Sequence, residues 1–91
     1  MEFIVLSKKD NVATALIDLQ EKCEVKLEMN EKIICIQEFI QFGHKFAIHD
    51  IAIGENIYKY GEIIGRAISE IKSGEHVHVH NLEGTRGRGD L

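Results

Sequence analysis

The chain has 91 residues, 44% hydrophobic and 29% charged, and 11 Lys+Arg against 15 Asp+Glu give a net charge of −4. That length holds one domain at most, and the composition excludes global disorder. The acidic balance disfavours a nucleic-acid partner, the apolar runs fall far short of the ~20 residues that span a bilayer, and two cysteines without C-x-x-C spacing build no disulfide scaffold.

In chain order, Met1-Glu2-Phe3-Ile4-Val5-Leu6 has no basic region and no small-residue cleavage site, so a cytoplasmic protein is expected. Next, Val12, Leu16, Leu19 and Cys23 follow helical spacing, with Asp10 placed to cap a helix. The same segment also reads as a strand, with Ala13, Ala15, Ile17 and Leu19 on one face. Ile33, Ile34, Cys35 and Ile36 form a short run that suits a buried strand. Gly43, Gly54, Gly65 and Gly74 then recur nine to eleven residues apart, the spacing of turns between short strands. Between them lie Phe46-Ala47-Ile48, Asn56-Ile57-Tyr58-Lys59-Tyr60 and Val77-His78-Val79-His80, all favouring a pleated surface. Residues 83–91 form a Gly/Arg-rich tail after a domain spanning 1–82. Its Arg88-Gly89-Asp90 is a chance tripeptide, and two arginines on an acidic chain make no RNA-binding tail.

An internal repeat decides between helix and strand. Ala47-Ile48-His49-Asp50-Ile51-Ala52-Ile53-Gly54-Glu55-Asn56-Ile57 returns as Ala67-Ile68-Ser69-Glu70-Ile71-Lys72-Ser73-Gly74-Glu75-His76-Val77. A weaker copy starts at Ala15 and puts Lys22 at the glycine position, and Ile40-Gln41-Phe42-Gly43 is a fourth trace. Each unit reads as strand, turn with positive φ, and return strand. The expectation is therefore an all-β domain of short, strongly bent hairpins, with residues 12–19 extended.

Five histidines supply the chemistry. His76, His78 and His80 alternate with Val77 and Val79, so in a strand they share one face, about 6.6–6.8 Å apart, and two imidazoles can converge on one ion. The bland alternative is a polar outer face over a buried valine face. His44-Lys45 sets an imidazole and a cation beside Gly43: Lys45 can supply charge to a carboxylate, and His44 a metal ligand or an acid/base group. Lys59 is a second cation near a glycine, Asn81 suits either a substrate hydroxyl or a turn, and His49 reads as surface.

Gly43-His44-Lys45-Phe46-Ala47, Asp50-Ile51 with Gly54-Glu55, Lys59-Tyr60-Gly61 with Ile64-Gly65, and Gly74-Glu75-His76-Val77-His78-Val79-His80-Asn81 resemble the SAF domain of the altronate/galactarate dehydratase family. Asp10-Asn11-Val12-Ala13-Thr14-Ala15-Leu16 is similar to its opening strand, and the Arg86-Gly87-Arg88-Gly89-Asp90-Leu91 ending to its free-standing small subunits. Gln41, where the family often has proline, and Lys22 or Cys23, in place of a turn glycine, depart from its pattern. The resemblance implies a β-clip fold and a small subunit of a sugar-acid hydro-lyase that works with a larger dehydratase subunit. With it come His44 and Lys45 as catalytic residues, Lys59 and Asn81 as substrate-binding residues, and His78 and His80 as ligands of a divalent metal such as Fe²⁺ or Mn²⁺, shared with the larger subunit. His76 is expected at the surface and dispensable. A sulfolactate sulfo-lyase subunit and a non-catalytic binding or assembly module are the alternative readings. No nucleic acid or membrane partner is expected, and a homo-oligomer stays open for the isolated chain.

Overall fold

The computed structural model describes residues 2–5, 7–28 and 31–84. Among them are nine strands and no helix: β1 (Phe3–Ile4), β2 (Val12–Ala15), β3 (Glu24–Leu27), β4 (Lys32–Cys35), β5 (Lys45–Ala47), β6 (Asn56–Lys59), β7 (Glu62–Ala67), β8 (His76–Val77) and β9 (Leu82–Gly84). They form a four-stranded sheet in the order β1-β2-β5-β8, a three-stranded sheet β6-β7-β9 and the hairpin β3-β4, all antiparallel. The all-β expectation holds, and residues 12–15 are extended.

The repeat is a hydrogen-bonding unit, and it occurs in two reciprocal pairs. In the first pair, Leu19 bridges Ile40, Gly43 N–H donates to the Ala15 carbonyl, and Lys22 N–H donates to that of Ile36. In the second, Ile51 bridges Ile71, Gly54 N–H donates to Ala67, and Gly74 N–H donates to Ala47. Each unit thus begins on a buried small or branched residue, buries a Leu or Ile four places on, and turns three places later. The turning residue has positive φ every time: 73° at Lys22, 89° at Gly43, 88° at Gly54 and 91° at Gly74. Lys22 therefore adopts the glycine conformation without being glycine, at a cost of about 1–2 kcal/mol.

Each pair of bends has a hairpin between its members and a core beneath it. Val25, Leu27 and Ile34 of β3-β4 pack with Leu19, Ile36, Ile40 and Phe46; Ile57 and Ala67 of β6-β7 pack with Ile51, Ile71, Ala47 and Val77. Strand β5 serves both, because alternation sends Phe46 into the first core and Ala47 into the second.

Three local expectations are corrected. Ile33 is 60% exposed while Ile34 and Ile36 are buried, so β4 alternates and its apolar run is not wholly internal. The extended run 77–80 ends after Val77: residues 78–80 form a turn, and Val79, expected in the core, is 77% exposed. Asp10 caps no helix; its buried carboxylate accepts the Tyr60 and Gly61 N–H groups. Strand β9 runs to Gly84, across the expected 82/83 boundary, and residues 85–91 of the tail, Arg86 and Arg88 included, lie outside the described residues.

Candidate functional site

One edge of the four-stranded sheet gathers the histidines. Strand β5 starts directly after His44, and Phe46 is the Cα partner of His76 on edge strand β8. This register sets the two imidazoles side by side. His44 Nδ1 lies 2.9 Å from His76 Nε2 in a hydrogen bond, and the rings stack with centroids 5.0 Å apart at an interplanar angle of 14°. His78 lies 5.0 Å from His44 and 5.3 Å from His76, and His80 lies 5.4 Å from His76. Four imidazoles thus share one edge, brought together by a turn rather than by the expected four-residue strand.

His76, expected to be an idle surface ring, stands at the centre of this cluster. Its ring meets the other three, and its N–H donates to Glu38 Oε2 at 3.1 Å. Sequence spacing missed it because the nearest partner, His44, lies 32 residues away. The available signal was the repeat itself, which aligns His76 with the start of the second pair's closing strand.

Asn81 organises the turn. Its Oδ1 accepts the His78 N–H at 2.9 Å, and its Nδ2 donates to the His76 carbonyl at 2.8 Å. The side chain is buried at 6% exposure, so its amide fixes the backbone that carries His76 and His78. His49 stays apart, against Lys32 Nζ at 3.3 Å.

Burial first, then the neighbouring charges of His78, His44 and His80, pushes the His76 pKa down; Glu38 opposes this. His78 is lowered too, by burial and then by His44, Lys45 and His80. Burial, with like charge nearby, keeps His76 and His78 neutral near pH 7, the form that accepts a proton or ligates a metal. Lys45 is half-buried, and burial followed by the Lys59 ammonium lowers its pKa.

The donors are of the right kind for a divalent ion, yet among the described residues no three His, Cys, Asp or Glu groups are arranged to hold one. The His44–His76 contact of 2.9 Å is a hydrogen bond, shorter than the roughly 3.4 Å between two nitrogens on one tetrahedral zinc. A metal here would need donors from outside the described residues.

The structure defines a small, bent all-β domain that carries imidazoles and lysines at one rim. Residues 1–85 match the model of the altronate/galactarate dehydratase SAF domain, and the chain belongs to that family. It is 44% identical over 81 residues to altronate dehydratase of Escherichia coli, covering 89% of this chain and 16% of that protein. It is also 47% identical over 51 residues to (2R)-sulfolactate sulfo-lyase subunit alpha of Chromohalobacter salexigens, covering 56% of this chain and 54% of that one. The subunit alpha of Paracoccus pantotrophus is 31% identical over 64 residues, covering 70% of this chain and 96% of that protein. The chain therefore spans about a sixth of the altronate dehydratase but nearly the full length of one sulfo-lyase subunit. No helix among the described residues is long and apolar enough to cross a membrane.

Proposed function

We propose that this chain is the small subunit of a sugar-acid hydro-lyase of the altronate dehydratase kind and completes a dehydration site on a larger subunit. The observation that carries the reading is the rim of four imidazoles gathered around His76 beside Lys45, in a domain of this family. Dehydration removes the proton α to a carboxylate and expels the neighbouring hydroxyl. A neutral imidazole accepts such a proton and an imidazolium returns one to the leaving oxygen, so a proton shared between His44 and His76 suits both halves of the reaction. Lys45 offsets the charge that builds on the substrate, Lys59 binds it, and Asn81 positions the turn. A divalent ion held by His78 and His80 together with the larger subunit would supply further stabilisation of the developing carbanion.

A second reading is a sulfo-lyase subunit, in which sulfite leaves instead of hydroxide after the same first proton abstraction. The near-complete coverage of a free-standing sulfo-lyase subunit favours it. Co-expression with the larger subunit and assays on altronate and on sulfolactate separate the two. We expect a stable complex, negligible turnover by the 91-residue chain alone, and a loss of about tenfold or more in His78→Ala and His80→Ala, the scale of a metal-site or supporting contact. Full turnover by the isolated chain, or wild-type activity with unchanged metal content in both variants, overturns the reading.

A further inference from the structure

The face of the four-stranded sheet opposite Phe46 changes character along its length. Val12, Ala47 and Val77 belong to the second core. The Cα partnerships Val12↔Ala47, Thr14↔Lys45 and Lys45↔Val77, with their two-residue alternation, place Thr14 and Lys45 next along that face. Apolar packing therefore gives way to a hydroxyl and an ammonium on adjacent strands. The Thr14 Oγ1 atom is buried and has no hydrogen-bond partner among the described residues. Lys45 is half-buried, and among the described residues no carboxylate forms an ion pair with it or with Lys59.

The Lys59 ammonium is close enough to add to burial in pushing the Lys45 pKa down, and a free lysine side chain would swing away from such a neighbour. Lys59, however, is fixed. Its Nζ lies 5.0 Å from the centroid of the Tyr60 ring, and the tip of its hairpin is clasped from β2's leading segment. Asp10 Oδ2 accepts Tyr60 N–H at 2.9 Å and Oδ1 accepts Gly61 N–H at 2.8 Å, while Asn11 Oδ1 accepts Tyr58 N–H at 2.8 Å. Tyr60 and Gly61 both have positive φ, 57° and 82°, so the tip is a special conformation that Asp10 holds in place. The chain thus sets Lys45 across from a hydroxyl that has no partner among the described residues, and it holds Lys59 on the neighbouring hairpin, near enough for its charge to be felt at Lys45. What satisfies all three is an oxyanion, which accepts from both ammonium groups and from Oγ1 at once.

We propose that Lys45, Lys59 and the Thr14 hydroxyl form a subsite for the oxyanion end, carboxylate or sulfonate, of the substrate, with Asp10 as the positioning residue that holds Lys59 to it. That the ligand is a lyase substrate rests on the function proposed above; that the subsite takes an oxyanion rests on the two ammonium groups and the Thr14 hydroxyl themselves. It would anchor the anionic end on one face of β5 while His44, the residue before Lys45, leads from that strand into the imidazole cluster.

The test titrates the full chain with gluconate, a carboxylate, and in a second arm with isethionate, a sulfonate, at constant ionic strength, following Lys45, Lys59 and Thr14 by NMR. We expect saturable shifts at all three, with affinity weakened at least tenfold in Lys45→Met and at least fivefold in Lys59→Met. Asp10→Asn should weaken binding as Lys59→Met does while leaving the Lys45 response visible, and the exposed Lys22→Met should change nothing. The tighter arm identifies which oxyanion the site takes. Equal affinity in Lys45→Met and wild type, or shifts spread evenly over all lysines, overturns the subsite. In the complex with the larger subunit, Lys59→Met should raise KM about tenfold with kcat kept. An active complex with unchanged KM overturns the subsite and leaves the lyase reading standing; specific anion binding with an inactive complex does the reverse.

Discussion

In bends 47–54 and 67–74 the residue that follows the turn is a glutamate, whereas in bends 15–22 and 36–43 it is Cys23 and His44. The backbones match: in all four bends this residue's N–H donates to the carbonyl three places back, at 3.0–3.2 Å or, for His44, 2.9 Å. The side chains do different work. Glu55 Oε1 accepts the Ala52 N–H at 2.6 Å and Glu75 Oε1 accepts that of Lys72 at 2.9 Å, so each glutamate caps its own bend. His44 makes no such cap and turns its ring to His76 instead. The imidazole cluster therefore uses, at His44, the repeat position that a capping glutamate fills in the other pair of bends. One half of the domain is built for holding shape, and the other gives up a cap to place an imidazole.

The largest test of this division is at the turning residues. A methyl group on Gly74 would run into the Cys35 carbonyl oxygen, where the second pair of bends meets the end of β4, and the φ of 91° would add strain. Gly54 has nearly the same φ, 88°, with no atom within 4 Å of an added Cβ. Gly74→Ala should cost about 3 kcal/mol or more and Gly54→Ala only about 1–2 kcal/mol, read by urea denaturation. Equal losses would mean that the contact between the halves carries no weight.

A smaller effect concerns acid. Burial and like charge hold the pKa values of His76 and His78 below the ordinary imidazole value. The unfolded chain then binds more protons than the folded one as pH falls below about 6.5. Their contribution to stability is complete above that pH and is lost as pH drops through the folded values. His49, lowered by burial and then by Lys32, adds in the same direction. Thermal unfolding should shift down by a few degrees between about pH 7.5 and 5.5, less so in His76→Ala. A pH-independent midpoint, or an identical shift in that variant, would show that the cluster does not couple to folding.

The repeat made the fold legible from sequence because three of its four copies end on a glycine, Gly43, Gly54 or Gly74, a residue that suits a turn with positive φ and weakens a helix interior. Buried positions four residues apart with a turn three later also fit a helix face, which is why Val12, Leu16, Leu19 and Cys23 read as helical. The site was legible only in part. His44, Lys45, His78 and His80 stand in recognisable local strings, whereas His76 gained its central place through pairing across 32 residues, and Asp10 through N–H groups 50 and 51 residues away. The strand that was expected to align three imidazoles ends at Val77, because Asn81 bonds to the His76 carbonyl and the His78 N–H and folds the chain into a turn.

The smallest effect tests the repeat at its weakest copy. Lys22 holds φ at 73° in an exposed bend whose N–H still donates to Ile36 at 2.7 Å. An L-residue in that region is strained by about 1–2 kcal/mol, which glycine removes. Glycine also adds freedom to the unfolded chain, opposing the gain by about 0.4–1 kcal/mol. The side chain itself contributes little, since among the described residues its ammonium forms no ion pair. Lys22→Gly should therefore stabilise the domain by roughly 0.5–1 kcal/mol, and Lys22→Ala should come close to neutral because the strain stays. Denaturation midpoints of the two variants separate the terms. A gain in Lys22→Ala equal to that in Lys22→Gly would assign the effect to the lost lysine rather than to φ, and the first copy would then not be a glycine turn with the wrong residue in it.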